Sequence, residues 1–333
     1  MKKRKMKAMI ATGYGSSEVL KLREVDLPAI KPTEVLIKVA VSSATTADGM
    51  MLSGKPFITR LFVGLTKPKY PIPGTGFAGV VHAKGSEVSK FKVGDKVFGE
   101  TTLGFSTNAE FLAVPENGVI LPMPETMQYT EAASFGDGHV TSYNFLTNIY
   151  KLKASERILI IGASGALGTA AVQIAKYKGA HVTGVCSSKN KGLVKSLGAD
   201  EIIDYAEEDF TNRTETYDVI FDTLGKTTFK ACQKILNPHG HYLSPVIGFS
   251  VLFQMMKTSL FGSKKVLFHA TGTNSENKLR AMLEEVTEIF KLGKLKTVID
   301  RQYPLEKLAE AYTYIAKGRK KGNVIIINTQ DNE

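Results

Sequence analysis

The chain has 333 residues, 43% hydrophobic and 23% charged, enough for two globular domains with real cores and too mixed for a disordered or fibrous protein. Its net charge of +11 admits an anionic cofactor, a nucleic acid or a membrane surface. The basic residues are scattered, however, with small clusters only at 2–7 and 319–321 and none of the aromatic interleaving of an RNA binder, so a solvated basic surface and no nucleic-acid partner are expected. Two cysteines, Cys186 and Cys232, form neither a disulfide framework nor a spaced metal cluster and point to a reducing, cytoplasmic setting.

The basic opening Met1, Lys2, Lys3, Arg4, Lys5 runs into Lys7 without an apolar core, so no secretion signal is expected. The most apolar stretch, 246–261, carries Lys257 and several polar residues and falls short of the roughly 20 apolar residues that span a bilayer. No transmembrane helix and no membrane partner are expected.

From residue 7 to about 125 the chain reads as β-rich. Short apolar-leaning runs at 35–41, 79–83, 96–99 and 109–114 are punctuated by Pro71, Pro73, Gly74, Gly94, Pro122 and Pro124, which suits a compact barrel-like fold. From Thr130 the pattern turns helical and then alternates. Strands are predicted at 157–161, 181–186, 201–204, 217–222, 241–244 and 265–270, with helices between them: a doubly wound parallel sheet of six strands in an α/β fold. The last strand-helix-strand pieces, 297–300, 305–316 and 323–327, return to the earlier style and are expected to close onto the first domain.

The run 158–161 feeds a turn, Gly162, Ala163, Ser164, Gly165, Ala166, Leu167, Gly168, and then a helix that stops near Gly179. Glycines at this spacing allow the tight turn, let backbone approach a pyrophosphate, and let helix and strand pack closely; free N–H groups at the helix start would take the phosphates. The strand–turn–helix context, with a second strand at crossover distance, makes this a dinucleotide elbow rather than a bare glycine turn.

The end of the second strand bears on the choice of dinucleotide. Sites for NAD place an Asp or Glu there for the ribose hydroxyls, whereas this chain has Ser187, Ser188, Lys189, Asn190, Lys191. Hydroxyls and ammonium groups suit a 2′-phosphate, hence NADPH; a solvated polar loop opening the next helix is the other reading.

With these residues in place the chain resembles the medium-chain dehydrogenase/reductase superfamily, in its zinc-free quinone oxidoreductase-like branch. The likeness runs almost end to end: 34–39, Pro73-Gly74 through 77–81, 93–99, Ala132-Ala133 with Thr141, 197–200 with 203–205, 293–301 and 321–325. It implies a GroES-like β-rich domain, 1–126 completed by 293–333, a Rossmann domain, 127–292, and a cleft where substrate meets the nicotinamide. By resemblance Lys191 and Tyr205 hold the 2′-phosphate, Ser187 and Ser188 stand beside it, Thr223, Leu224 and Asn323 are further cofactor contacts, and Thr141 lines the nicotinamide side. Relatives pair through the last Rossmann strand, which implies a homodimer edge at Val266, Leu267 and Phe268.

Zinc-using relatives bind the metal through a cysteine, a His-Glu pair and a second cysteine. The matching positions here are Thr45, Thr75-Gly76 and Asp137, and neutral threonines are poor zinc ligands, so no metal site is expected. Asp137 with His139 does not amount to a site, and His239 with His241 reads as a strand turn. Without a Lewis acid, a quinone or α,β-unsaturated carbonyl, which spreads developing charge by conjugation, is a better acceptor than a plain ketone. An NADPH-dependent reductase of such acceptors is therefore expected. The alternatives are an NAD(P)-dependent alcohol or ketone reductase, and a nucleotide-binding protein without turnover that holds RNA or a protein partner on its basic surface.

Catalytic detail departs from the branch: Thr45 stands where an asparagine is common and Met50 where a tyrosine is, while Asp48 is kept. Thr45 reads equally as a weak hydrogen-bond donor and as a turn threonine, and Asp48 as an acid that orders its loop. The stretch 249–256, rich in Phe and Met, reads as a flexible apolar wall for a flat substrate, as core, or as a dimer contact.

Overall fold

A computed structural model describes residues 4–55, 57, 60–102 and 105–328; Met1, Lys2 and Lys3 of the basic opening lie outside them. The chain divides into two compact units: Met1–Asp137 with Ser275–Glu285 and Thr297–Glu333, and Gly138–Asn274 with Val286–Lys296. In chain order the strands are β1 Lys5–Ala11, β2 Leu20–Asp26, β3 Glu34–Ala44, β4 Gly76–Lys84, β5 Lys96–Glu100, β6 Phe111–Pro115 and β7 Val119–Pro122 in the first unit. Then come β8 Arg157–Ile161, β9 His181–Cys186, β10 Glu201–Asp204, β11 Tyr217–Asp222, β12 Leu236–Ser244 and β13 Lys265–Phe268 in the second, and β14 Ile299–Pro304 and β15 Asn323–Ile327 back in the first.

The first unit is β-rich and GroES-like. A seven-stranded sheet runs β14-β15-β3-β4-β5-β7, with β6 also paired to β3, and β1-β2 form a separate antiparallel pair. Its core is made by the inward side chains of these strands, among them Val35, Ile37, Val39, Phe77, Val97 and Ile120. The C-terminal return expected from the sequence is present: β15 pairs antiparallel with β3, Val324 opposite Ala44 and Ile327 opposite Val41. A second cluster gathers Leu20, Leu52, Leu308, Tyr312, Val324 and Ile326, so the last helix and strand bury their apolar faces against the first residues of the unit.

The second unit is the Rossmann-type sheet. Six strands run β10-β9-β8-β11-β12-β13 and every pairing is parallel. The order reverses between β8 and β11, which opens a crevice at the carboxyl ends of those strands, where ligands bind in open α/β sheets. Leu159, Ile161, Val185, Ile220 and Tyr242 fill one face. Both faces of a parallel sheet are covered, which is why β8 reads as a continuous apolar run rather than an alternating one and why β9 is buried from Val182 to Cys186.

Some elements differ from the sequence reading. Strands β2 and β7 carry no clear signal; β2 shows why, since Leu20 is its one buried residue and polar residues fill most of the rest. Strand β14 starts two residues later than expected and runs to Pro304, β12 begins at Leu236, and the apolar stretch after β12 is a helix, Phe249–Leu260.

Candidate active site

The elbow is built by β8 and the helix Ala166–Tyr177. Gly162 sits at φ +79°, the left-handed region that only glycine adopts freely, and a Cβ there would lie 2.6 Å from Leu224 Cγ. Gly162 N and Ala163 N both donate to Val185 O at 3.1 and 3.0 Å, tying the turn to the end of β9. A Cβ on Gly168 would come within 2.1 Å of Gly162 O, so this glycine is required for the helix to pack on the turn.

Gly165 is different. Its φ is −81° and a Cβ on it would meet nothing closer than Gly162 O at 3.4 Å, so the protein itself does not need a glycine there. It is the N-cap of the helix and no side chain caps the helix from this position. A bare, uncapped helix start with open space over it is a cradle that a side chain would fill, and it suits a phosphate held by backbone N–H groups.

Around the elbow, Ser164 accepts from Asn190 Nδ2 at 2.9 Å, while Asn190 Oδ1 is buried with no hydrogen-bond partner. Thr223 donates its hydroxyl to Ile161 O at 2.8 Å, and Leu224, 44% exposed, lies over the turn. Their loop is organised by Asp222, whose carboxylate accepts from Leu224 N, Gly225 N, Thr227 N and the Tyr242 hydroxyl. Ala166 and Leu167 begin the helix, and Ser142 Oγ donates to Leu167 O at 2.9 Å.

At the end of β9, Ser187 precedes a short turn of helix and Lys191 opens the helix Lys191–Ser196. The parallel ladder sets Asp204 beside Cys186, so the end of the third strand joins the end of the second. There Ser188 Oγ donates to Asp204 Oδ2, and Lys191 Nζ lies 2.9 Å from Glu207 Oε2 and 3.5 Å from Asp204 Oδ2. The Ser188 hydroxyl, Ala206 N and Lys191 hold the Asp204 carboxyl below its ordinary range; the bond to Glu207 holds the Lys191 ammonium above its own. Tyr205 stands exposed next to this group. The acid-free pocket expected from 187–191 is thus bordered by two carboxylates that sequence reasoning missed. The signal lay in the strand order, which puts the end of a neighbouring strand against the first.

In the other unit, Thr45 and Asp48 form a reciprocal pair at the start of the helix Thr46–Ser53: Thr45 N donates to Asp48 Oδ2 at 2.9 Å and Asp48 N donates to Thr45 Oγ1 at 3.0 Å. This is a capping box, and it gives both residues a structural task while leaving the Thr45 hydroxyl proton free to donate elsewhere. Glu100 and Asp137 lie close enough to act on Asp48. Loss of hydration pushes Asp48 up to about 7 and Glu100 up to about 8, each helped by the charge on Asp137; dehydration also raises Asp137, against the pull of Lys320. Asn323, on β15, donates its side-chain amide to Val298 O at 3.1 Å. Thr141 lies in the second unit, on the helix Val140–Tyr143.

Among the described residues no three His, Cys, Asp or Glu side chains are grouped to hold a metal ion. The Thr45 oxygen is occupied by the cap and Thr75 offers a neutral hydroxyl, a donor set that does not fit a catalytic zinc.

One β-rich GroES-like unit and one six-stranded parallel sheet with a glycine elbow at its switch point, in a single chain, define a nicotinamide-dependent dehydrogenase or reductase. Comparison with known proteins agrees. The family described as alcohol dehydrogenase GroES-like domain matches residues 31–125, and that described as zinc-binding dehydrogenase matches residues 197–326. The chain is 33% identical to a 2-methylene-furan-3-one reductase of Solanum lycopersicum over 96% of this chain and 79% of that protein. It is 32% identical to the chloroplastic quinone-oxidoreductase QR1 of Triphysaria versicolor, over 96% and 98%. Among solved structures, the quinone oxidoreductase of Coxiella burnetii superposes with a TM-score of 0.86 at 25% identity, covering 97% of this chain and 99% of that one. The chain belongs to the medium-chain dehydrogenase/reductase superfamily, in its quinone oxidoreductase-like branch.

Proposed function

We propose that this oxidoreductase is an NADPH-dependent, zinc-independent reductase of quinones or α,β-unsaturated carbonyls. The observation that carries the reading is the elbow: Gly165 leaves open backbone over an uncapped helix start, and Ser187, Ser188, Lys191 and Tyr205 gather at the end of the adjoining strands. Elbow N–H groups would hold the pyrophosphate, and the Lys191 ammonium with the serine hydroxyls would hold the 2′-phosphate by charge-assisted hydrogen bonds.

The reduced nicotinamide, when bound, supplies a hydride to a conjugated acceptor. The protein's own part is positioning, exclusion of water, and a hydrogen bond to the acceptor oxygen, for which the Thr45 hydroxyl is the candidate donor. Thr141 is assigned to the nicotinamide side. Conjugation in the acceptor takes the place of the Lewis acid for which this donor set is unsuited. The names of relatives that reduce a furanone or a quinone support this substrate class. Two buried free cysteines suit the cytoplasm, and β13, an edge of its sheet, is proposed as the homodimer edge.

The test is a binding titration of NADPH against NADH, repeated with Lys191→Ala, followed by turnover on quinones, enones and simple ketones. NADPH should bind at least about tenfold tighter, and the substitution should remove most of that difference. Equal affinities unaffected by the substitution, or activity on simple alcohols alone and only with added zinc, would overturn the reading.

A further inference from the structure

The helix Phe249–Leu260 has two apolar faces. One is used: Val251 and Met255 pack against the core cluster of the sheet, and Thr258 Oγ1, buried, accepts from Val266 N at 3.0 Å. The other is not. Phe249, Phe253, Met256 and Leu260 recur at helical spacing on the opposite side, and with Phe261 they are between 57% and 91% exposed. At about 100° per residue these four positions fall within one stripe about 60° wide, with Lys257 at its border. Scattered exposed apolar residues need no explanation; a continuous row of this size does.

The charge carried by the chain on either side of it is one-sided. From residue 223 to 275 the sequence contains six lysines, Lys226, Lys230, Lys234, Lys257, Lys264 and Lys265, and no Asp or Glu. Two of them tie the others to the helix: Lys265 Nζ donates to Thr258 O at 2.5 Å, and Lys264 Nζ to Gln233 O at 2.6 Å, which brings the turn bearing Lys230 and Lys234 to the helix's C-terminal end. A second copy seated face to face on this stripe would bring these lysines together, with Asp209, which lies near Lys234, offsetting them only in part.

We infer that the outer face of the helix Phe249–Leu260 docks on an anionic lipid bilayer, its Phe, Met and Leu side chains entering the interface while the surrounding lysines meet the acidic headgroups. This departs from the sequence-based expectation of no membrane partner, which asked only whether the stretch could span a bilayer. A helix lying in the interface needs no such length. Among the described residues no helix is long and apolar enough to cross a membrane, and surface docking does not require one.

The chain has no tryptophan, so Phe253→Trp installs a single, selectively excited indole on the outer face. With vesicles of phosphatidylcholine and phosphatidylserine its emission should shift to the blue and be quenched by bromine-labelled acyl chains; with phosphatidylcholine alone it should not move. Sedimentation of the unmodified chain with the same vesicles should weaken about fivefold for each lysine removed in Lys230→Gln and Lys257→Gln, and be lost in Phe253→Glu with Leu260→Glu. Circular dichroism and light scattering on each variant separate docking from misfolding and from a change of oligomeric state. No binding to anionic vesicles, equal binding to neutral ones, or a Phe253→Glu/Leu260→Glu protein that is folded and still sediments would each overturn the inference. So would a dimer that dissociates on that substitution, because a second copy would then be the occupant. None of these outcomes depends on which nicotinamide cofactor the chain binds.

Discussion

Lys191 Nζ lies 2.9 Å from Glu207 Oε2, so the ammonium assigned to the cofactor phosphate is already held by a carboxylate of its own chain. A second carboxylate, that of Asp204, stands 3.5 Å away, and Ser188 donates to it. A phosphate arriving here exchanges one anion for another at Lys191 rather than meeting a free cation. The pair is solvent-exposed and therefore weak on its own account. Glu207→Gln should accordingly tighten 2′,5′-ADP about two- to fivefold and leave 5′-AMP unchanged, as measured by calorimetry. If both nucleotides gain equally, Glu207 acts through general charge and not through Lys191.

Gly165 and Gly168 should respond in opposite ways to the same change. In Gly168→Ala the new methyl meets Gly162 O at 2.1 Å and Ala163 Cα at 2.7 Å, both backbone, so the turn must shift and stability should fall by about 1–3 kcal/mol. In Gly165→Ala the methyl makes only van der Waals contact, at 3.4 Å, and φ is ordinary, so stability should fall by no more than the roughly 1 kcal/mol that alanine costs at an N-cap. Its methyl would occupy the phosphate cradle, and affinity for the dinucleotide should drop about tenfold or more. A Gly165→Ala protein that binds as before would mean that this helix start does not hold the dinucleotide.

Thr45 carries two roles that can be separated. Its capping oxygen is shared with Ser, so Thr45→Ser should keep the melting temperature, whereas Thr45→Ala should cost about 1 kcal/mol through the lost cap. If the hydroxyl also steadies the acceptor oxygen, Thr45→Ala lowers kcat more than the stability loss accounts for and Thr45→Ser restores it. A kcat unchanged in folded Thr45→Ala enzyme would leave the residue a cap and nothing more.

The carboxyls of Asp48 and Glu100 make stability depend on pH in a stated direction. Burial raises them to about 7 and about 8, while in the unfolded chain they lose their protons near pH 4. Between those values the native state binds more protons than the unfolded one, so their contribution is full below about pH 4, declines as pH rises, and is gone above about pH 8. Glu100→Gln removes one titrating group from the set. Thermal melts from pH 4 to 9 should show a shallower decline for the variant, with the largest gain over the parent near pH 8.5. Parallel curves would mean that Glu100 is hydrated in solution.

Much of this was legible in the chain itself. The apolar run before Gly162 and the helix after Gly168 are local features, read by periodicity, and all six parallel strands were found, although β12 starts five residues earlier than its apolar part. A strand opening at Lys7 is legible, within β1, but its partner β2 is not, because an exposed polar strand has no pattern to read. The carboxylates beside Lys191 were missed for another reason. Asp204 reaches Ser188 only because β10 lies next to β9, and adjacency of strands is a property of the sheet.

The sequence by itself determined the alternation of strands and helices, the elbow and its glycines, and the set of hydroxyls and ammonium groups near it, since each follows from neighbours a few residues apart. Only the tertiary structure decided which groups those ammonium ions face, which carboxyls lose their water, and which side of the helix Phe249–Leu260 is left uncovered. Those outcomes depend on desolvation and on contacts between segments distant in sequence, and neither quantity exists until the chain has folded.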